Sequence, residues 1–259
     1  MQSSDQASIV GEKYANIYIF LWKDTSAGYN IKRQESFGRK RGLRDAACSI
    51  ARDIRLLLVR RRQALGTDLL SQLLVAHDQE DSLSESELIV TATTLLIAGH
   101  ETTVNLIGNG MYSLLLQPEQ LTLLRQRSDL MPSAIEELSR FESSSQMASR
   151  YATEDIEVGG TTIQRGQIVN LLLGSGNHDP EAFSDPDRLN ITRKENRHLA
   201  FGMGIHYCLG APLARLEGQV AIGLLLQHLP NLRLLVSAPQ WRDTIGFRGL
   251  QRLDVTWGG

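Results

Sequence analysis

The stretch from Ser84 to Leu116 constrains the chain more than any other. Ser84 and Glu87 stand at the spacing of a capping box, in which each side chain serves the other residue's backbone amide at a helix start. A long apolar run follows, and Pro118 stops it. At ~1.5 Å per residue a helix of this length spans about 50 Å. It is apolar nearly all round, so it belongs in the middle of the fold. His100, Glu101, Asn105 and Asn109 interrupt it, and no apolar run in the chain reaches the ~20 residues a bilayer requires.

At its centre stands Ala98-Gly99-His100-Glu101-Thr102-Thr103. A glycine inside a helix costs ~1 kcal/mol against alanine. The carboxyl and hydroxyls beside it suggest a local opening of the helix against a ligand. The plainer alternative has Thr102 bonding back to a carbonyl of its own helix and Glu101 facing solvent. The same residues begin like H-E-x-x-H, the zinc-hydrolase helix, but Val104 stands where the second histidine must be. Two ligands cannot then share one helical face, so a zinc hydrolase of that type is excluded.

The second constraint is Phe201-Gly202-Met203-Gly204-Ile205-His206-Tyr207-Cys208-Leu209-Gly210. Gly202 and Gly204 permit backbone angles closed to other residues, so the chain can turn tightly and approach a flat ligand. Gly210 leads into an apolar run that reads as a helix. A cysteine just before a helix start is favoured as thiolate by the dipole and the free amides. Cys48 lies 160 residues upstream, and no histidines or cysteines surround Cys208 at zinc-site spacing. A lone thiolate suits a metal whose other positions are filled, as in haem iron with an axial cysteine. The alternative is a buried free cysteine.

The pattern Phe201-Gly202-x-Gly204-x-His206-x-Cys208-x-Gly210 resembles the haem-binding loop of the cytochrome P450 family, in its bacterial branch. The resemblance covers Arg44 to Gly259. It implies a mostly α fold with small β-sheets, the C-terminal portion of the cytochrome P450 fold. Residues 1–43 stay an unassigned N-terminal segment, and residues 44–259 form the haem domain. It implies heme b (iron protoporphyrin IX) as cofactor, with Cys208 as the iron ligand and Phe201, Gly202, Gly204, His206, Gly210, Ala98 and Gly99 around the haem. Arg150 and His206 match the partners of the haem propionates. Thr102 would hold dioxygen by a hydrogen bond and help deliver protons, with Glu101 as relay acid. The long helix and the cysteine loop would enclose the haem between them. Glu137-x-x-Arg140 matches the family's buried ion pair, with Arg188 as its third member, and residues 143–150 would line the substrate pocket.

The rest of the chain reads as follows. Ile17–Trp22 is rich in β-branched and aromatic residues and suggests a strand, and residues 24–42 suggest a loop. Helical spacing predicts helices over Arg44–Ala64 and Asp68–Ala76, with His77–Asp81 as a polar loop. Further helices are expected over Pro118–Arg127 and Pro132–Phe141. Strands are expected within Glu154–Leu173, turning at Gly159-Gly160. Leu213–Leu229 reads as a helix with Leu213, Leu216, Val220, Leu224 and Leu225 buried, and residues 232–257 as strands and turns.

The net charge of −2 argues against non-specific nucleic-acid binding. Eleven lysines and arginines against three acids in Lys32–Arg62 form a local basic run, but such runs are commonly solvated faces. Two distant cysteines form no disulfide framework, and no secretory signal is visible, so a cytoplasmic protein without membrane contact is expected. The implied activity is monooxygenation, the hydroxylation or epoxidation of a small organic substrate. Electrons must come from a separate ferredoxin or flavoprotein, because the chain has no dinucleotide-binding glycine fingerprint and no iron–sulfur cysteine set. Family members carry a long block of helices before the matched region, and residues 1–43 do not resemble it. The chain therefore looks like a truncated or rearranged member. Two other readings stand beside the enzyme: an inactive haem-binding remnant, and a haem-free helical scaffold.

Overall fold

The computed structural model describes residues 6–8, 40–80, 83–236 and 238–258. The expected strand at Ile17–Trp22 lies outside them. The chain divides into two compact units, Ser26–His100 and the remainder.

In the first unit, α1 (Lys40–Gln63) and α2 (Leu69–Glu80) precede the N-terminal part of α3 (Glu85–Leu116). Ile54, Leu58, Leu74, Leu88, Ile89 and Ala92 form its core. α1 starts at Lys40, so Lys40, Arg41 and Gly42 are helical rather than loop. α2 runs on through the expected polar loop to Glu80; polar residues alone do not stop a helix without glycine or proline among them. The capping box forms as read. The Ser84 amide donates to Glu87 Oε2 at 2.7 Å, and the Glu87 amide donates to Ser84 Oγ at 3.3 Å.

In the second unit, α3 continues from Glu101. It is followed by α4 (Pro118–Gln126), a 3-10 turn (Ser128–Leu130) and α5 (Met131–Phe141). Strands β2 (Ala148–Tyr151), β3 (Ile156–Val158), β4 (Thr161–Ile163) and β5 (Ile168–Leu171) come next, then the short helix α6 (Leu173–Gly176). The unit ends with α7 (Ala211–His228), β6 (Arg233–Leu234) and β7 (Asp254–Thr256). β7 lies between β6 and β1 (Gln6–Ser8) in an antiparallel sheet, with Gln6 opposite Thr256. β2 pairs with β5, and β3 with β4 through Gly159 (φ 58°) and Gly160 (φ 78°). Positive φ at both positions is what a two-residue hairpin turn demands.

Small residues let three helices close on one another. A Cβ on Gly218 would lie 3.2 Å from Ile135 Cδ1, and one on Gly110 would lie 3.2 Å from Leu138 Cδ1. Ile135, Leu138, Met111, Leu114 and Ile222 make the centre of this core. The expectation for α7 fails here. Leu225 is buried, but Leu213, Leu216, Val220 and Leu224 are exposed, and the inward face is Ala211, Gly218, Ile222, Leu225 and Leu226. Apolar residues surround this helix, so periodicity does not fix its inner face; the close approach at Gly218 does.

Glu137 and Arg140 are fully buried and form a bidentate pair, Nε–Oε2 and Nη2–Oε1 both at 2.9 Å. Arg140 Nη1 donates to the carbonyls of Asn177 and Pro186. The expected third member was Arg188, but Arg188 contributes only its carbonyl. Arg193 takes the place, its Nε 3.0 Å from Glu137 Oε2, with the Asn190 amide and Asn196 Nδ2 completing the carboxylate's shell. Five donors on one buried carboxylate meet the condition under which a buried ion network holds its position.

Candidate functional site

The loop Phe201–Gly210 is built around its cysteine. The Cys208 amide donates to the Phe201 carbonyl at 2.8 Å, the Tyr207 amide to Gly204 at 3.0 Å and the Gly202 amide to Leu199 at 2.9 Å. Gly202 (φ 71°) and Gly204 (φ 69°) take the left-handed conformation that these turns need. Gly204–His206 makes a single 3-10 turn. Gly210 is the N-cap of α7 with an ordinary φ of −83°. An added Cβ there would lie 3.9 Å from Cys208 Sγ, an ordinary contact distance, so the position borders the sulfur rather than supplying a special turn.

Cys208 is exposed, as is Cys48, and neither is in a disulfide. Met203, Ile205 and Leu209 beside Cys208 are exposed too, Ile205 at 98% and Leu209 at 86%. A thiol flanked by bare apolar side chains suits a flat, largely apolar group carrying its own metal. Among the described residues no group of three or more His, Cys, Asp and Glu side chains could hold a bare ion. The donor set and its surroundings therefore fit a haem.

The other candidates lie on different elements. Glu101 and Thr102 are half-buried on α3. Glu101 Oε1 accepts from Arg242 Nη1 at 3.0 Å, so the candidate relay acid is ion-paired, a partner the sequence did not announce. Ala98 and Gly99 are exposed on the part of α3 that belongs to the first unit, and nothing lies within 4 Å of where a Gly99 Cβ would be. Arg150 is exposed on β2, its Nη1 donating to the Ser149 carbonyl at 2.9 Å. His206 is exposed in the 3-10 turn. Thus the six loop residues stand together, whereas Glu101, Thr102, Arg150, Ala98 and Gly99 lie on other elements.

Glu101, Asn105 and Asn109 recur every fourth residue along α3 and meet one segment of chain. Beyond the Glu101–Arg242 pair, Asn105 abuts Gly249, where any Cβ would collide with its amide. Asn109 is fully buried, and its Nδ2 donates to the carbonyls of Arg248 at 2.9 Å and Glu142 at 3.3 Å. A cleft of ≈ 170 Å³ lies by Ser143 and Gln146, within the segment expected to line a substrate pocket. Its charged walls are already paired, Arg140 with Glu137 and Arg248 with Glu142.

A sequence model of the cytochrome P450 family matches residues 53–232, and the chain belongs to the cytochrome P450 family. It is 48% identical over 201 residues to the biotin biosynthesis cytochrome P450 of Bacillus subtilis (strain 168), covering 78% of this chain and 51% of that one. It is 42% identical over 253 residues to the 6-deoxyerythronolide B hydroxylase of Saccharopolyspora erythraea, covering 96% of this chain and 61% of that one. Among solved structures, P450BioI in complex with hexadec-9Z-enoic acid-ligated acyl carrier protein matches with a TM-score of 0.80 at 44% identity, over 86% of this chain and 58% of that one. The tirandamycin C-bound P450 monooxygenase TamI matches with a TM-score of 0.79 at 45% identity, over 83% and 55%. The chain spans about half the length of the curated relatives it matches. Among the described residues no helix is long and apolar enough to cross a membrane.

Proposed function

We propose that residues 44–259 carry the haem-thiolate part of a monooxygenase, with heme b held by Cys208. The observation that supports this most is the exposed Cys208, set by the amide bond to Phe201 in a glycine-built loop with bare apolar neighbours. When bound, the haem would supply dioxygen activation and the insertion of one oxygen atom into a C–H or C=C bond of a small organic substrate. Phe201, Gly202, Gly204 and Gly210 shape the loop so that the sulfur stands clear of its own backbone. Arg150 supplies a cation, and His206 a ring N–H, for the propionates. Thr102 and Glu101 hold and move protons at the Thr102 hydroxyl and the Glu101 carboxylate, and the Arg242 pair holds that carboxylate in place. Ala98 and Gly99 offer a surface without bulk for close approach. Two electrons arrive from a separate ferredoxin or flavoprotein, in the cytoplasm. The relatives act on chemically different compounds, so the substrate class is left at a small organic molecule.

A second reading has the chain bind haem without turning over. One measurement addresses both: the carbon monoxide difference spectrum of the reduced, haem-reconstituted chain. A strongly red-shifted, thiolate-type band supports the ligand assignment, and substrate turnover then separates the two readings. A histidine-type band sinks the Cys208 assignment and the monooxygenase with it, whereas no haem uptake sinks both readings and leaves the haem-free scaffold.

A further inference from the structure

A charged cluster brackets the cysteine loop from the core side. Glu136 on α5 accepts from Arg215 on α7 through both oxygens, Nε–Oε1 at 2.6 Å and Nη2–Oε2 at 2.9 Å. Arg215 Nη1 also donates to Tyr207 Oη at 3.0 Å, and its guanidinium lies 4.5 Å from the centre of the Phe201 ring. On the other side, the Ala200 amide donates to His198 Nδ1 at 3.2 Å. That places the proton on Nε2, which donates to Glu136 Oε2 at 3.1 Å. The His198 and Phe201 rings are 5.6 Å apart. One carboxylate thus holds a residue ten positions before Cys208 and another seven after it, and through Arg215 it reaches Tyr207, the immediate neighbour of the cysteine.

We propose that Glu136 and Arg215 are a positioning pair for Cys208, fixing the Phe201 and Tyr207 ends of its loop from the α5–α7 core so that the loop is already ordered before any haem arrives. Each contact has a distinct job. The bidentate bridge aligns the guanidinium plane, the phenol bond sets the side chain next to Cys208, and the stacked Phe201 supplies the carbonyl that the Cys208 amide uses. A lysine at position 215 keeps the charge but loses the fork and the stack. The consequence for iron ligation deepens the haem-thiolate reading and rests on it, while the ordering of the loop does not.

The test compares amide hydrogen exchange in the haem-free chain with that in Glu136→Gln, Arg215→Gln, Arg215→Lys and Tyr207→Phe. Loss of the charge-assisted bridge is expected to speed exchange in the peptide containing Cys208 and Ala211 by about tenfold or more. Peptides from Gly218–Leu226 should keep their protection. Arg215→Lys should not rescue, and Tyr207→Phe should give a smaller change confined to the loop. Unchanged loop exchange in the variants overturns the proposal. So does an equal rise throughout α5 and α7, or a loop that already exchanges freely in the parent. Tyr207→Phe alters one phenol outside the core, and it decides the matter if Arg215→Gln does not fold. In haem-loaded protein the same variants should lower the fraction showing the thiolate-type carbon monoxide band. A parent chain that takes up no haem sinks the monooxygenase reading, while the exchange data still decide the positioning pair.

Discussion

Arg193 reaches Glu137 across 56 positions of chain, its Nε 3.0 Å from Oε2, with both side chains buried. It makes the carboxylate common to two guanidiniums, since Arg140 grips the same group from within α5. Arg140 carries the pair beyond its own helix through the carbonyls of Asn177 and Pro186. Arg193, with the amide of Asn190, ties it to the long segment that leads into the cysteine loop.

Removing that carboxylate leaves two cations without a counter-charge in the core. Glu137→Ala is expected to lose about 3–5 kcal/mol of stability, enough to broaden or abolish a cooperative urea transition. A loss under about 1 kcal/mol would show that the network is dispensable.

Burial pushes the Glu136 carboxyl up, but hydrogen bonds from His198 and Arg215, with the Arg215 charge, outweigh it and hold the group at about 2, against an ordinary value of 4.5. Arg215 is raised in turn, chiefly by its bond to Glu136 and against the effect of its own burial. A depressed carboxyl stabilises the folded state above its unfolded value, because the unfolded chain binds the proton first. This contribution is complete above about pH 5 and is lost as pH falls towards about 2. The stability gap between the parent and Glu136→Gln should therefore narrow as pH falls through that window. A gap that is constant from pH 6 to pH 2 would refute the assignment.

Cys208 is exposed, so Cys208→Ala should change stability by no more than about 0.5 kcal/mol. The same substitution should abolish the thiolate-type carbon monoxide band of the haem-loaded chain. A variant that keeps this band would move the iron ligand elsewhere.

Gly99 makes the opposite case. It is exposed inside α3 with open space around its missing Cβ, so Gly99→Ala should stabilise the haem-free chain by about 0.5–1 kcal/mol. If the glycine is there for close approach of haem, the same variant should bind haem more weakly. Gains in both properties would remove Gly99 from the site.

Much of this structure was legible locally. The Ser84–Glu87 box, the hairpin at Gly159-Gly160, the positive φ at Gly202 and Gly204 and the stop at Pro118 all follow from residues within four positions of one another. Contacts made at long range were not legible. Arg193 rather than Arg188 reaches Glu137, Arg242 finds Glu101 across 141 positions, and Arg215 finds Glu136 across 79. An arginine in sequence carries no mark of its partner. The inner face of α7 was misread for a related cause, since leucines on every side leave the choice to Gly218 and Ile135. The capping of Cys208 by Phe201 was implicit in the glycine pattern, but the bracket of charge around it was not.

The buried amide of Asn109 has a consequence two turns away. One residue of slippage in α3 would rotate the helix by about 100° and strand the Arg248 and Glu142 carbonyls that Asn109 serves. Asn109 thus works as an index pin for the angular setting of the helix, and Gly249 gives the clearance in which Asn105 can follow it. Glu101 lies on the same stripe, so its bearing towards Arg242 is inherited from that pin. A substitution at Asn109 would mis-aim a carboxylate that it never touches.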